Sequence, residues 1–384
     1  MSENALTHGG DWAGFEMEYG RQPLDFSMNV NPLGISPAAA AAIAEAAARA
    51  DRYPDPLCRT LTQRLAEAEG IPQDRIFCGN GAADIIFRLA QALKPEPPKA
   101  PVLLVTAPTF SEYETAFAEN GWQIRRYMLR ESRGFQIGED ILDAIGEDTD
   151  AVFLCEPNNP TGITTDHRLL QRICDHCRRA GTDLVIDECF NGFLTDPQAH
   201  TMVPQLRTET GSLIIMKAFT KLYGMAGVRL GYCLCGDAEM TERLRRAGPP
   251  WNVSSLAQAA GIAALEDTDH VKRGLKITEQ QRPWLKARLA ELLSRGDSGA
   301  QEQPAAGQPV AEQSITGNPA TVYGEANYLL FRAWPGLDRQ LRRRGILIRN
   351  CSNYPGLGEG WYRIAVRTQE ENIRLIEAIK EELV

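Results

Sequence analysis

Lys221 is placed in the sequence where a lysine can act as a nucleophile. It follows an apolar run at 213–216 and precedes the glycine-rich segment Tyr223-Gly-Met-Ala-Gly-Val. Removal from water lowers the pKa of a lysine, and the neutral amine then attacks carbonyl compounds. Arg229, shortly after it, is a candidate cation for a phosphate group. The alternative for Lys221 is an ordinary surface lysine beside a turn.

Two further polar residues follow apolar runs. Asp187 closes the run Leu184-Val-Ile-Asp, and a carboxylate at the carboxyl end of a parallel strand lies where open α/β sheets bind ligands. It can pair with a protonated ring nitrogen, or it is a helix cap or a structural ion pair. Asn159 lies in the turn Glu156-Pro-Asn-Asn-Pro-Thr-Gly, where its amide can donate to a ring oxygen unless the turn is purely structural.

A glycine-rich turn precedes an apolar helix predicted over 85–93. The turn reads Gly79-Asn-Gly-Ala-Ala-Asp. Small residues at a helix N-terminus leave backbone N–H groups open to a phosphate, and the helix dipole favours the negative charge. Many helices begin with glycine, so this feature is informative only beside the others.

The elements that must position these residues alternate between strands and helices. Apolar runs without polar alternation lie at 102–106, 151–155, 184–187 and 213–216. Such runs are typical of strands buried on both faces of a parallel sheet. Helices are predicted between them at 110–120 and 166–180, and before them from Ser36-Pro37 to about residue 50 and over 57–69. The pattern predicts an α/β fold with a mostly parallel central sheet and flanking helices.

Three parts of the chain differ in character. We expect residues 1–35 to form an irregular arm that contributes to the small domain and the active site. Residues 36–270 are expected to form the large domain, and residues 271–384 a smaller α+β domain. The latter has predicted strands at 327–331, 346–349 and 362–366 and a helix at 369–384. A stretch poor in large apolar residues, near 295–321, is predicted to be a loop insertion.

Composition excludes several function classes. The 384 residues carry a net charge of −9, with 41 Lys+Arg against 50 Asp+Glu, which argues against a nucleic-acid partner. No apolar run approaches the roughly 20 residues of a membrane span, and residues 1–11 lack the apolar stretch of a signal peptide. We therefore expect a cytoplasmic enzyme with reduced thiols. Cys174-x-x-Cys177 has no second half, so no metal site is predicted.

In this order and spacing, the motifs resemble those of the class I and II aminotransferases of fold type I, which use pyridoxal 5′-phosphate. The resemblance covers about residues 24–384. It implies a large cofactor-binding domain, a small C-terminal domain and a homodimer with shared active sites. A regulator with this fold behind a DNA-binding domain is disfavoured, because only about 25 residues precede the match.

The resemblance assigns roles residue by residue. Lys221 matches the Schiff-base lysine, Asp187 the partner of the pyridine nitrogen, and Asn159 the donor to the phenolic oxygen. Phe110 matches the aromatic residue that stacks on the ring. Residues that match the phosphate site are Gly81, Ala82, Thr220 and Arg229, with Tyr53 reaching the phosphate of the partner subunit. Asn31, Asn159 and Arg363 match residues near the substrate.

Two positions depart from the common pattern of that family. Ala218 stands where many members have a hydroxyl residue that binds the cofactor phosphate. Phe190 stands where many aminotransferases have a tyrosine that donates to the phenolic oxygen. The second departure weakens the assignment as a plain aminotransferase.

Within the family, the sequence is most similar to the threonine-phosphate decarboxylases of the cobalamin pathway. The similarity rests on His8-Gly-Gly-Asp, Ile348-Arg-Asn-Cys-Ser-Asn-Tyr and Arg363-Ile-Ala-Val-Arg-Thr. It implies decarboxylation of L-threonine O-3-phosphate to (R)-1-amino-2-propanol phosphate. His8, Gly9 and Arg349 would then hold the substrate phosphate and Arg363 the carboxylate. A histidinol-phosphate or other amino-acid aminotransferase is the alternative, and serine phosphate is an alternative substrate.

Overall fold

The computed structural model describes residues 8–95, 100–208, 211–296 and 321–383. Its helices are α1 (Trp12–Tyr19), α2 (Pro37–Ala47), α3 (Arg59–Glu69), α4 (Gly81–Ala92), α5 (Ser111–Glu119), α6 (Ile141–Ala144), α7 (His167–Ala180), α8 (Val203–Thr208), α9 (Phe219–Leu222), α10 (Ala238–Arg246), α11 (Ser255–Glu266), α12 (Thr268–Gly296), α13 (Leu337–Arg343) and α14 (Gln369–Glu381). Its strands are β1 (Leu24–Asp25), β2 (Ile76–Gly79), β3 (Val102–Ala107), β4 (Gln123–Met128), β5 (Ala151–Cys155), β6 (Asp183–Asp187), β7 (Leu213–Ala218), β8 (Gly231–Cys235), β9 (Val322–Tyr323), β10 (Tyr328–Arg332), β11 (Ile346–Leu347), β12 (Arg349–Asn350) and β13 (Trp361–Ala365). Most of the predicted insertion, residues 297–320, lies outside the described residues.

The large sheet has seven strands in the order β2-β8-β7-β6-β5-β3-β4. Strands β7, β6, β5, β3 and β4 pair in parallel, and β8 alone runs against both of its neighbours. Every residue of β3 and β5 is buried, as expected for runs of Val, Leu and Phe covered by helices on both faces. The predicted α/β fold with a mostly parallel sheet is confirmed.

The register brings the carboxyl ends of neighbouring strands to one edge of this sheet. Cys155 at the end of β5 lies opposite Asp187 at the end of β6, and Asp187 lies opposite Met216 in β7. The loops that follow these strands therefore emerge side by side. This edge is where ligands bind in open α/β sheets.

A second sheet forms late in the chain. It has four antiparallel strands in the order β12-β13-β10-β9, and it shares an apolar core with Leu285 and Leu289 of α12 and Leu375 of α14. The predicted boundaries at 35/36 and 270/271 stay predictions.

The strand predicted at 346–349 is divided between two sheets. Ile346 and Leu347 pair in parallel with β1, whereas Arg349 and Asn350 pair with β13. The chain passes from one piece to the other across the single residue Ile348, so the sequence pattern does not reveal where the chain changes partner. The change matters because it places Arg349 opposite a residue of β13.

The arm expected to be irregular contains a helix and a strand. In α1 the Asp11 side chain accepts a hydrogen bond from the backbone N–H of Gly14, and Gly20 ends the helix in the left-handed conformation at φ 64°. The sequence pattern did not predict this helix because Phe15 is its single buried residue. With one buried position there is no apolar periodicity to detect.

A close approach of two backbones joins the arm to the lysine segment. Gly224 has φ +66°, and a Cβ atom added there would lie 2.2 Å from the carbonyl oxygen of Gly34. Nearby, the backbone N–H of Asn31 donates to the carbonyl of Lys221 at 2.9 Å. The early chain therefore supports the segment that carries the lysine.

In the part of the chain that the structure describes, every helix is too short or too polar to cross a membrane.

Candidate active site

A cavity of about 170 Å³ opens at the carboxyl edge of the large sheet. Its lining consists of Ala82, Ala83, Phe110, Tyr113, Cys155, Asn159, Asp187, Cys189, Phe190, Thr220, Lys221, Ala226 and Arg229. The predicted cofactor residues other than Gly81 and Tyr53 are all in this lining. Residues far apart in the sequence therefore share one cavity because the strands before them end at one edge.

Asp187 is the buried acid of the cavity. One carboxylate oxygen accepts from the backbone N–H of Cys189 at 2.8 Å, and the other accepts from the Tyr113 hydroxyl at 2.6 Å. Burial raises the pKa of Asp187, while these two donors and the charge of Lys221 oppose the rise. A cationic ring nitrogen in the cavity would supply the counter-charge that this carboxylate needs.

Lys221 supplies the amine of the cavity, and its side chain is half-buried. It lies in α9, directly after β7, and its Nζ is 5.6 Å from the centre of the Phe190 ring. Removal from water, assisted by the positive charges of Arg363 and Arg229, lowers its pKa from 10.5 to about 8. A large fraction of the amine is therefore neutral, and so nucleophilic, in mildly alkaline solution.

The turn after β5 aims Asn159 into the cavity. Its neighbour Asn158 fixes the turn: the Asn158 amide donates to the carbonyl of Pro108 and to the Thr161 hydroxyl, each at 3.0 Å. Asn159 in turn accepts a hydrogen bond from the guanidinium of Arg363. The amide of Asn159 thus joins the cavity to the arginine of β13.

The first turn of α4 and Arg229 form a cradle for an anion. Gly81 has φ +80°, and a Cβ atom added there would lie 2.5 Å from a terminal nitrogen of Arg229. Only glycine lets the guanidinium lie this close to the helix start. The Asn80 side chain does not cap the helix, so its first N–H groups stay open to a ligand. Such an N-terminus beside a guanidinium suits a phosphate.

These groups fit pyridoxal 5′-phosphate by their chemistry. Lys221 can bond to its aldehyde, Asp187 can hold its ring nitrogen, and Asn159 can donate to its ring oxygen. The cradle of α4, Thr220 and Arg229 can hold the phosphate. Ala218 supplies no hydroxyl there, as the sequence indicates.

Two arginines face each other beside the cavity. Arg349 of β12 and Arg363 of β13 are directly opposite in the antiparallel register, and both are buried, at 8% and 6% exposure. Arg363 donates to the carbonyl of Ser27 at 2.9 Å, and its Nε has no partner among the described residues. Arg349 donates to the Asn353 side chain at 2.8 Å and lies over the Tyr354 ring. Like charges directly opposite on one sheet face repel, so this pair favours anionic ligand groups.

The start of the described chain lies against the same site. The imidazole of His8 is hydrogen-bonded to the Glu112 carboxylate at 2.7 Å, and its ring centre is 5.4 Å from that of Phe110. Gly9 packs on Ser27, and the next residue, Gly10, donates to the Ser27 hydroxyl at 2.8 Å. His8 and Gly9 are thereby next to Phe110 and to the partner of Arg363.

Two predicted residues are placed differently. Asn31 donates its side-chain amide to the carbonyl of Leu222 and accepts from Leu33, so it supports the lysine segment; its contact with substrate stays a prediction. Tyr53 lies outside the cavity of its own chain. It is 83% exposed and its ring centre is 5.0 Å from that of Trp251, which is also exposed.

Sequence reasoning missed Tyr113. Tyr113 and Phe117 recur at helical spacing on one face of α5, and Phe110 is the residue that precedes the helix. Periodicity marks such residues as core and does not reveal that the hydroxyl of Tyr113 reaches a carboxylate on another strand.

The comparisons agree with this geometry. A sequence profile described as "Aminotransferase class I and II" matches residues 21–379. The chain is similar to a threonine-phosphate decarboxylase of Salmonella typhimurium, with 37% identity over 94% of this chain and 91% of the relative. It is also similar to a histidinol-phosphate aminotransferase of Methanothermobacter thermautotrophicus, with 30% identity over 92% of this chain and 87% of the relative. The crystal structure of the histidinol-phosphate aminotransferase from Clostridium acetobutylicum superposes with a TM-score of 0.79 at 25% identity. The superposition covers 94% of this chain and 98% of that structure.

Acetylation of the cofactor-free protein tests the lowered pKa of Lys221. Acetic anhydride is neutral and reacts with unprotonated amines, so labelling of the Lys221 peptide should rise with pH through a midpoint of about 8. Mass spectrometry of the peptide measures the rate at each pH. The same peptide in the unfolded protein is the control and should titrate near 10.5. A folded-state midpoint that coincides with the control would contradict the account.

Proposed function

The chain belongs to the class I and II aminotransferase family, whose cofactor is pyridoxal 5′-phosphate, and on this premise we propose that it decarboxylates L-threonine O-3-phosphate. The product would be (R)-1-amino-2-propanol phosphate, as in the cobalamin pathway. The relative with 37% identity supports the substrate. The observation that carries the proposal is the facing pair Arg349 and Arg363, because this substrate presents a carboxylate and a phosphate at once.

The residues of the cavity have separate roles in the proposed reaction. The bound cofactor supplies an electron sink for the electron pair of the bond that breaks at the substrate Cα. Asp187 would keep the ring nitrogen protonated, and Phe110 would pack against the ring. Lys221 would hold the cofactor before substrate enters, and its amine, once released, would deliver a proton to Cα in place of the lost carbon dioxide.

Substrate pose decides which bond breaks. For decarboxylation, the protein would have to hold the carboxylate where the cofactor can accept the electrons of its bond to Cα. We propose that Arg363, joined to Asn159 at the cavity, takes the carboxylate. Arg349 and His8 bind the substrate phosphate. The arm at His8 and Gly9 closes over the phosphate and excludes water from that part of the site. Bidentate contacts from guanidinium groups fix both orientations.

An aminotransferase acting on histidinol phosphate is the second candidate, and relatives with that name support it. The same Lys221 and Asp187 would serve it, with the Cα–H bond in the reactive orientation. Histidinol phosphate has no carboxylate, so it would use only one of the two arginines; its 2-oxo-acid partner would use them in the second half-reaction. The need for that acid therefore separates the candidates.

We also propose a homodimer in which Tyr53 serves the phosphate site of the partner subunit. The support is the exposure of two adjacent aromatic residues, Tyr53 at 83% and Trp251 at 47%. Exposed aromatic pairs of this kind are enriched in interfaces between subunits.

Carbon dioxide release tests the proposed reaction. The cofactor-loaded protein with O-phospho-L-threonine and no 2-oxo acid should release carbon dioxide over many turnovers, and Lys221→Ala should abolish the release. O-phospho-L-serine tests the tolerance for the missing methyl group. Turnover that appears only with histidinol phosphate and 2-oxoglutarate would transfer the assignment to the aminotransferase.

Substitution of Arg349 tests the phosphate role. Arg349→Gln should lower kcat/KM for phosphothreonine roughly 10- to 100-fold, mainly through KM, because a charge-assisted contact to the phosphate is lost. Any activity on unphosphorylated threonine should be unchanged by the substitution. Arg332→Gln, at the end of strand β10 and separated from β12 by strand β13 in the same sheet, is the matched control. An equal loss on both substrates would contradict a phosphate role.

A further inference from the structure

Asp187 receives a hydrogen bond from a side chain that the proposed mechanism leaves without a role. We propose that Tyr113 is a positioning residue that acts through Asp187 to keep the proton on the ring nitrogen of the cofactor. The inference rests on the proposed pairing of Asp187 with that nitrogen. Tyr113 lies in α5, whereas the other residues proposed to act on the cofactor lie at or just after the ends of strands.

The geometry fixes the Tyr113 hydroxyl on one oxygen of the carboxylate. The hydroxyl donates to Oδ2 of Asp187 at 2.6 Å, while Oδ1 accepts from the backbone N–H of Cys189 at 2.8 Å. The Tyr113 side chain is fully buried. Its ring stacks on Phe153 with centres 4.0 Å apart and meets the edge of Phe110 at 5.5 Å. Tyr113 therefore has no freedom to turn its hydroxyl away.

The hydrogen bond controls where a shared proton lies. A carboxylate that already accepts a phenol proton is a weaker base than a bare one. When the ring N–H of the cofactor donates to Asp187, the weaker base leaves the proton on nitrogen. Without the phenol, the buried carboxylate would be more basic and would draw the proton from the ring. The ring would then lose the positive charge that makes it an electron sink.

The other groups that face Asp187 do not replace Tyr113 in this role. The titratable groups around Asp187 are Tyr113 of α5, Cys155 of β5, Cys189, Lys221 of α9 and Tyr328 of β10. The Tyr328 hydroxyl donates to the carbonyl of Asn158 at 2.8 Å and so does not donate to Asp187. Burial raises the pKa values of both thiols, so they stay neutral. Burial, followed by the charge of Asp187, also raises the pKa of Tyr113, so the phenol stays a proton donor. The amine of Lys221 would be bonded to the cofactor and so could not donate to Asp187.

Nitrogen-15 NMR of the cofactor-loaded protein, with the ring nitrogen labelled, tests the proposal without reference to turnover. At one fixed pH, Tyr113→Phe should move the ring nitrogen resonance from the protonated position toward that of neutral pyridine and reduce the one-bond N–H coupling. Replacement of Tyr113 by 3-fluorotyrosine, a stronger donor, should shift both in the opposite direction. A purely structural hydroxyl would not give shifts of opposite sign.

Two reference variants separate the possible failures. Asp187→Asn marks the resonance expected when the carboxylate is lost. Tyr362→Phe is the matched control, because it removes the hydroxyl of a different buried tyrosine. That hydroxyl donates to the carbonyl of Trp334 and accepts from the backbone N–H of Gly336, beside the second sheet. If Asp187→Asn moves the resonance but Tyr113→Phe and Tyr362→Phe both leave it in place, the proposal for Tyr113 is wrong and Asp187 keeps its role. If Asp187→Asn also leaves it in place, the proposed pairing of Asp187 with the ring fails, and the inference with it.

Discussion

The site depends on the cost of removing charged groups from water. Asp187 and Arg363 are buried and Lys221 is half-buried, all of them in or beside one cavity, and a charge removed from water is expensive unless it has a partner. The protein supplies part of the compensation through Tyr113, Cys189 and Asn159. The remainder is left for a ligand with an aldehyde, a basic ring nitrogen and a phosphate. This constraint explains why the carboxylate and the amine have pKa values displaced in opposite directions.

The fold meets that constraint through strand direction. Parallel strands β5, β6 and β7 end at the same edge, so the turn of Asn159, the carboxylate of Asp187 and the helix of Lys221 emerge together. The antiparallel neighbour β8 begins next to the start of α4, where Gly231 packs against Gly81 and Ala82. The second sheet contributes the arginines. In the proposed function, a lysine made nucleophilic by removal from water and an acid that keeps the cofactor ring cationic would serve both decarboxylation and transamination, and substrate orientation would separate the two.

Much of this architecture could be predicted from the sequence. Strand β5 was predicted with its observed bounds, and Ser36 caps α2 as expected, because strongly apolar runs and capping residues act locally. The predicted cofactor residues in the cavity lining came from the family resemblance that motifs in a fixed order carry. Contacts between elements that are distant in the sequence were harder to predict. Helix α1 has almost no apolar pattern, and the division between β11 and β12 depends on strand pairing at a distance. The contact between Tyr113 and Asp187 joins two elements that no local pattern relates, and the role of Tyr53 depends on a second subunit.

The most direct test of the account is to locate the cofactor on the chain. The cofactor-free protein is mixed with pyridoxal 5′-phosphate, reduced with borohydride, digested and mapped by mass spectrometry, and the pyridoxyl label is counted on each lysine peptide. The account predicts one label per chain, on Lys221. Equal labelling of Lys217, which is ion-paired with Glu69, or of surface lysines, with Lys221 unmodified, would contradict the claim that this cavity is the cofactor site.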